Sequence, residues 1–326
     1  MTSPVALSWW QSRDVPSTIT TTPLAPLRHQ VGRTTHQLID HGREGRLLDL
    51  ACWYPAQVGV EPLAEYELLA GITFHGSAFD APDPLAGEHP VVVFSHGRTG
   101  TNLNYSQLLE ALASSGFVVL AVNHPGDTTM DWLTGTAVDD ATNERQRVED
   151  LALVVDQLMA NTLHLKPVVN LEQLTVVGHS YGGYSALAFA SLHGTRTKVR
   201  GAVGLHPFLT PLDQSALSSI SVPVLLIGGE QDTTTPVDLN VHQPANHLEL
   251  VTAIIFEEVG HQGCSDIGLY GELAPTIADL PPEIVVIVQD MATSVTGKAG
   301  DPWRPAVLRH FQELSTFLED LTPPVV

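Results

Sequence analysis

Gly178-His179-Ser180-Tyr181-Gly182 sets a serine between two glycines, directly after the apolar run LTVV and directly before YSALAFA. A GxSxG segment with a strand before it and a helix after it is the setting of a nucleophile elbow. The backbone turns so sharply that only glycine fits beside the serine, and the hydroxyl is lifted above the sheet at a helix N-terminus. Without that flanking pattern the serine would be read as a helix cap and nothing more. The chemistry implied is nucleophilic, and a serine hydroxyl is a poor nucleophile until a base within hydrogen-bond reach takes its proton.

Fifteen histidines compete for the role of base. His179 is the nearest in the chain, but neighbouring side chains diverge on a tight elbow, so its ring is expected to point away from the Ser180 hydroxyl. Reactive groups in open α/β sheets gather at the carboxyl ends of the strands. That filter leaves His96, His124, His206 and His261, each just past an apolar run. Only His261 follows the last such run, and it lies downstream of an acidic candidate. The acid comes from VPVLLIGGEQDTTTP, where Glu230 and Asp232 follow a strand ending in glycines. A buried carboxylate is needed to fix the imidazole tautomer and stabilise its cation. Asp232 is favoured because it lies deeper in the loop. Ser180, Asp232 and His261 then stand in the chain order serine, acid, histidine. An oxyanion needs two backbone N–H donors. Tyr181, next after the serine, offers one, and Arg98 in the glycine-flanked loop SHGRTG offers the other.

The elements that must position these groups are legible as texture. RTTHQLID and LLDLACWYPA around HGREGR predict an antiparallel hairpin, since β-branched and aromatic residues flank a glycine-containing turn. From residue 91 onward, short and almost purely apolar runs alternate with helix-like stretches. This is the pattern of a mostly parallel, doubly wound α/β sheet buried on both faces. PWRPAVLRHFQELSTFLEDL predicts a final amphipathic helix. The expected organisation is an N-terminal arm over 1–29 and a single domain over 30–326. Residues 124–140 and 262–300 are longer than ordinary connections and are expected to be lid or binding loops.

Composition narrows the partners. A formal net charge of −21 opposes a phosphate backbone, so no nucleic-acid partner is expected. No apolar run approaches the roughly 18 residues of a membrane span. The opening residues lack a basic region, an apolar core and a cleavage site, which gives a cytoplasmic expectation. Cys52 and Cys264 are too few and too far apart for a disulfide framework.

RLLDLACWYPA, VVVFSHGRTGTNLNYSQLLEALASSGFVVLAVNHPG, VVGHSYGGYSALA and VPVLLIGGEQD together resemble one branch of the α/β-hydrolase superfamily. That branch holds dienelactone-hydrolase-like proteins, platelet-activating-factor acetylhydrolases, chlorophyllases and bacterial polyester hydrolases. The resemblance covers roughly residues 30–262 and implies an α/β-hydrolase fold. It also implies Ser180 as nucleophile, His261 as base, and the amides of Arg98 and Tyr181 as the oxyanion hole. Two departures matter. Dienelactone hydrolases proper carry a cysteine nucleophile, and this chain has Ser180. The acetylhydrolases place their acid after the strand that follows the elbow, where this chain has His206, so the acid has to be Asp232. His206 and Phe208 would then line the substrate pocket, with Trp132 as a further wall.

The expected activity is carboxylester hydrolysis through an acyl-enzyme on a small or polymeric ester, with no cofactor and no metal. A metal-dependent hydrolase using His96, His124 and His206 is an alternative, weakened by the absence of an HExxH motif and of suitably spaced acids. A ligand-binding protein of the same fold without turnover is another.

Overall fold

The computed structural model describes residues 17–69, 72–277 and 280–321. Its spine is an eleven-stranded sheet in the order β1-β5-β2-β3-β7-β6-β8-β9-β10-β11, with β4 paired to β5. The expected hairpin is β2 (Gln30–Asp40) against β3 (Arg46–Ala56), antiparallel over its whole length. β3 runs antiparallel to β7 (Val118–Val122). From there β6 (Glu88–Ser95), β8 (Val168–His179), β9 (Gly201–Leu205), β10 (Val224–Gly229) and β11 (Val251–Phe256) are parallel.

Apolar residues on successive positions of these strands serve two different cores, because strand side chains alternate between faces. Val91, Val93, Val118, Leu120, Val224 and Leu226 pack on one side with α3 (Asp140–Met159) and α4 (Tyr181–Thr197). Val92, Phe94, Val119, Ala121, Leu225 and Ile227 pack on the other with α1 (Ser106–Ser114) and the C-terminal α8 (Arg304–Leu321). Both faces are covered, which is why the runs contain almost no polar residue.

Three parts differ from the sequence expectation. The segment Ser17–Thr20, expected within an arm, is a short edge strand β1 paired in parallel with β5 (Ile72–Asp80); residues 1–16 of that arm lie outside the described residues. The antiparallel pair β4 (Leu63–Leu69) and β5 extends the sheet where no strand was expected, its pattern broken by Gly76 and by register shifts. Both long connections contain helices, and the second is mostly helical. Residues 124–140 hold the short α2 (Thr129–Thr134), and 262–300 hold α6 (Ile267–Leu273) and α7 (Pro282–Ala292), with the short α5 (Gln214–Ser218) between β9 and β10.

The chain order reverses at β6, which has β7 on one side and β8 on the other. The loops leaving β6 and β8 therefore open side by side at the carboxyl edge, where open α/β sheets place their ligands. Contact there is close: a Cβ on Gly182 would lie 2.0 Å from the Ser95 carbonyl oxygen, and one on Gly178 equally close to that of Gly182. Gly182→Ala is therefore expected to cost about 3 kcal/mol through overpacking. Urea denaturation measures it, and an unchanged midpoint would mean that the β6–α4 approach is not this tight.

Candidate active site

Ser180 sits between β8 and α4 at φ 55°, ψ −118°, a left-handed conformation unusual for a residue with a Cβ. Backbone bonds on all sides hold it there. Its N–H donates to the Leu205 carbonyl at 3.0 Å, and its own carbonyl accepts from Phe208 and Gly183 at 2.9 Å each. This is the strained turn that the glycine pattern predicts.

His261 Nε2 lies 3.0 Å from Ser180 Oγ, and His261 Nδ1 lies 2.8 Å from Asp232 Oδ2. The loops after β8, β10 and β11 thus bring the three residues into one hydrogen-bonded line. Asp232 is buried, whereas Glu230, two residues earlier, is exposed. The Asp232 Oδ1 accepts from the amides of Thr234 and Thr235 at 2.9 and 2.8 Å, and Oδ2 accepts from Thr235 Oγ1 at 2.8 Å. Burial opposes its charge, but hydrogen bonds from His206 and His261, reinforced by their charge, hold the carboxyl well below the usual carboxylate range.

His179 points away from the serine, as divergence on the elbow requires. Its Nε2 donates to the carbonyl of His261 at 2.8 Å, and its Nδ1 accepts from Tyr105 Oη at 2.8 Å. Tyr105 in turn accepts from the Gly97 amide at 2.9 Å. Burial first, then His261 and His206, push His179 well below the ordinary imidazole range. It is a neutral strut between the β6 loop and the backbone of His261.

In the β6 loop, the amides flanking Arg98 are both engaged, Gly97 with Tyr105 and Thr99 with Asp127 Oδ1 at 3.1 Å. The Arg98 amide itself has no partner among the described residues. Tyr181, the first residue of α4, has no acceptor within its helix. The Arg98 side chain is exposed, meets Asp140 at 2.6 Å and lies over the Tyr181 ring, 5.3 Å from its centroid.

His206 does not line a pocket, contrary to the sequence expectation. Its ring is buried, with Nδ1 3.0 Å from Asp232 Oδ2 and Nε2 3.0 Å from His310 Nε2 on α8. The residue has φ 45°, which swings the side chain back beneath the acid. Phe208 is partly buried against Tyr181, ring centroids 5.0 Å apart, and Trp132 is 58% exposed on α2. Trp132 is therefore not a core residue.

The metal alternative does not assemble. His96 and His124 share a buried network with Ser95, Asp150 and Gly97, each ring nitrogen already bonded, while His206 belongs to the Asp232 cluster. Among the described residues, His206, Asp232 and His261 are the one group with metal-like spacing, and the atoms concerned hydrogen-bond to one another.

Several site residues gave no sequence signal. Thr235 sits three positions past Asp232, where the hydroxyl and amide of a tight turn reach back to a carboxylate. Tyr105 and His310 look like ordinary helical core positions. Asp266 follows His261 by five residues and anchors its loop, accepting from Ser106 N and Oγ at 2.6 Å each and from Gln107 N at 3.2 Å, at the start of α1. Burial pushes its carboxyl up to about 7.

A sequence model of the chlorophyllase family matches residues 80–245, just over half of the chain. The chain belongs to the chlorophyllase family. Similar curated proteins include chlorophyllase-1, chloroplastic, of Citrus unshiu, 28% identical over 56% of this chain and 55% of that protein. Cutinase est1 of Thermobifida alba is 31% identical over 45% of this chain and 43% of its own length. This chlorophyllase-family chain thus spans about half the length of the curated relatives it matches. Among solved structures, a ferulic acid esterase from Streptomyces cinnamoneus superposes with a TM-score of 0.68 at 22% identity, covering 91% of each chain. A dienelactone hydrolase-like promiscuous phosphotriesterase from metagenomic libraries gives 0.55 at 16%, covering 89% of this chain and 99% of that one. At such identities the likeness establishes the fold, which is that of the α/β hydrolases. The branch is the one that the sequence motifs resemble.

Proposed function

We propose that this chlorophyllase-family protein is a serine carboxylester hydrolase working through an acyl-enzyme. The observation that carries the reading is the continuous line Ser180 Oγ, His261, Asp232, closed by hydrogen bonds of 3.0 and 2.8 Å and ending on a buried, multiply bonded carboxylate. The esterase among its structural neighbours, and the chlorophyllases and cutinases among its relatives, support the same class.

In this mechanism Ser180 Oγ attacks the ester carbonyl as His261 Nε2 takes its proton, and Asp232 stabilises the imidazolium through Nδ1. The carbonyl oxygen becomes an oxyanion facing the free amides of Arg98 and Tyr181. His261 then gives the proton to the departing alkoxide, and the alcohol leaves. A water molecule, deprotonated by the same imidazole, attacks the acyl-enzyme, and the acid is released with Ser180 restored. In this reading Phe208, against Tyr181, and the exposed Trp132 would offer apolar surface to the acyl or alcohol part.

An active-site-directed fluorophosphonate is expected to label the chain once, at Ser180, with loss of activity on aryl esters in step with labelling. Intact-mass and peptide mass spectrometry check this. Absence of label at Ser180, or full activity after labelling, would overturn the reading.

A further inference from the structure

The buried imidazoles around the site differ in whether each ring nitrogen faces a donor or an acceptor. His96 Nδ1 donates to the Gly97 carbonyl and its Nε2 accepts from the His124 amide. His124 Nδ1 donates to Asp150, and its Nε2 accepts from Ser95. His179 donates to the His261 carbonyl and accepts from Tyr105. Each of these rings closes its bonds as a neutral tautomer with one proton.

The His206–His310 pair does not. Asp232 Oδ2, 3.0 Å from His206 Nδ1, belongs to an ionised carboxylate and can only accept, so His206 Nδ1 carries a proton. The Ala306 carbonyl, 2.8 Å from His310 Nδ1, can also only accept, so His310 Nδ1 carries one too. With both rings neutral, the two Nε2 atoms would face each other across 3.0 Å as bare lone pairs. One further proton turns that contact into a hydrogen bond.

We infer that the His206–His310 pair holds one extra proton between its Nε2 atoms and acts as the counterion of Asp232, a positioning device set behind the acid. The inference rests on the esterase reading only for its kinetic consequence. A cation there leaves Asp232 charged between two imidazoles, one permanently cationic with its partner and one, His261, free to cycle. It also repels a second positive charge on His261, whose ring centroid is 6.1 Å from that of His206. The expected consequence is kinetic: kcat/KM holds up further into the acid range with the pair in place than without it.

The groups facing the pair work in both directions. Burial first, with His261, lowers His206 on balance below the ordinary imidazole value, although the bond and charge of Asp232 push it up. Burial, His206 and the neighbouring Arg309 push His310 down, against the Ala306 bond. His179 lies 6.2 Å from His206 as a neutral ring, Cys264 is a buried thiol, and Phe256 packs edge-on against His310. These pressures act on each ring singly. Removing the shared proton adds a further cost, because two lone pairs then oppose each other and Asp232 loses the cation behind it. The net charge of −21 also favours a retained proton.

His310 is buried behind His206, away from Ser180, so its replacement separates electrostatics from substrate contact. In His310→Gln the amide can donate to a neutral His206, keeping the ring in place without the proton. In His206→Asn a residue tolerant of positive φ removes the pair altogether. The pH dependence of kcat/KM on an aryl acetate is expected to show the acid limb displaced upward by about one pH unit in both variants, with the alkaline plateau lowered less than tenfold in His310→Gln. A limb unmoved in both folded variants, or moved to lower pH, overturns the inference. Long-range imidazole nitrogen–proton spectra of the unmodified protein at pH 7 decide independently of folding and of activity. A proton on at least one of the two Nε2 atoms is the expected result, and two bare Nε2 atoms overturn it. A protein that hydrolyses no ester fails at the earlier reading, and the spectra still decide the proton.

Discussion

Replacing Ser180 by alanine is expected to lower kcat for aryl-ester hydrolysis by about 10⁵ to 10⁶-fold while leaving the fold intact. In the proposed mechanism the loss is large because the serine supplies the bond-forming atom of the first step, and His261 and Asp232 are arranged around it and not around a water. The residual rate above the uncatalysed reaction would come from the Arg98 and Tyr181 amides and from substrate binding, which survive the change. Stability should hardly move. The backbone bonds that fix the elbow, to Leu205, Phe208, Gly183 and Tyr184, do not use the side chain. The hydroxyl's one hydrogen bond is to His261, whose ring remains held by Asp232 and Thr235. A melting temperature within a few degrees of the parent, together with the rate loss, separates a chemical role from a structural one. Activity within tenfold of the parent would remove Ser180 from the mechanism.

The sequence carried the elbow turn, the strand ends and the inward position of Asp232 because each is a local signal. Glycine beside serine at 178–182 reflects a turn that admits no Cβ, and apolar runs broken by glycine mark strands buried on both faces. Asp232 over Glu230 was legible from depth in the loop, and the structure buries the first and exposes the second. What was not legible depends on contacts between residues far apart in the chain. His206, expected as a pocket wall, turns under the acid because its backbone adopts a positive φ that nothing in AVGLHPF announces. Its partner His310 lies 104 positions away on a helix whose periodicity marks the residue as core and nothing more. The β4–β5 pair escaped notice because Gly76 and the register shifts interrupt its pattern, although Ala64 and Tyr66 alternate with exposed Glu65 and Glu67 in β4. The segment 262–300 looked loop-like because α6 and α7 are short and their caps weak, with no side-chain cap bond at either N-terminus.

The same gap hid the second large effect, which lies under the oxyanion loop. Arg147 on α3 is fully buried. Its Nη1 meets Asp127 Oδ2 at 2.7 Å, its Nε donates to Ser185 Oγ at 3.0 Å, and its Nη2 donates to Ser95 Oγ at 3.2 Å and to the carbonyl of His96. Asp127 is completed by Asn143 at 2.7 Å and by the Thr99 amide. Burial pulls the guanidinium down and the Asp127 and Asp150 charges push it up, and the planar fork is satisfied on every nitrogen. Arg147→Met keeps length and apolar volume but strands the Asp127 carboxylate without its cation. A buried charge that loses its partner costs about 3 to 5 kcal/mol, and urea denaturation should show a loss of that size. The rate should fall as well. Ser95 and His96 lead directly into Gly97 and Arg98, so a loop released from Arg147 no longer holds the Arg98 amide where the proposed mechanism forms the oxyanion, and a misplacement near 1 Å costs about 10²-fold. Adding Asp127→Asn tests the division of labour. If the stability loss comes from the stranded carboxylate, the double variant should recover more than half of it. If the rate loss comes from the missing support of the His96 carbonyl, the same double variant should stay slow. A double variant no more stable than Arg147→Met would place the cost in packing, and one restored to parental rate would detach Arg147 from the oxyanion loop.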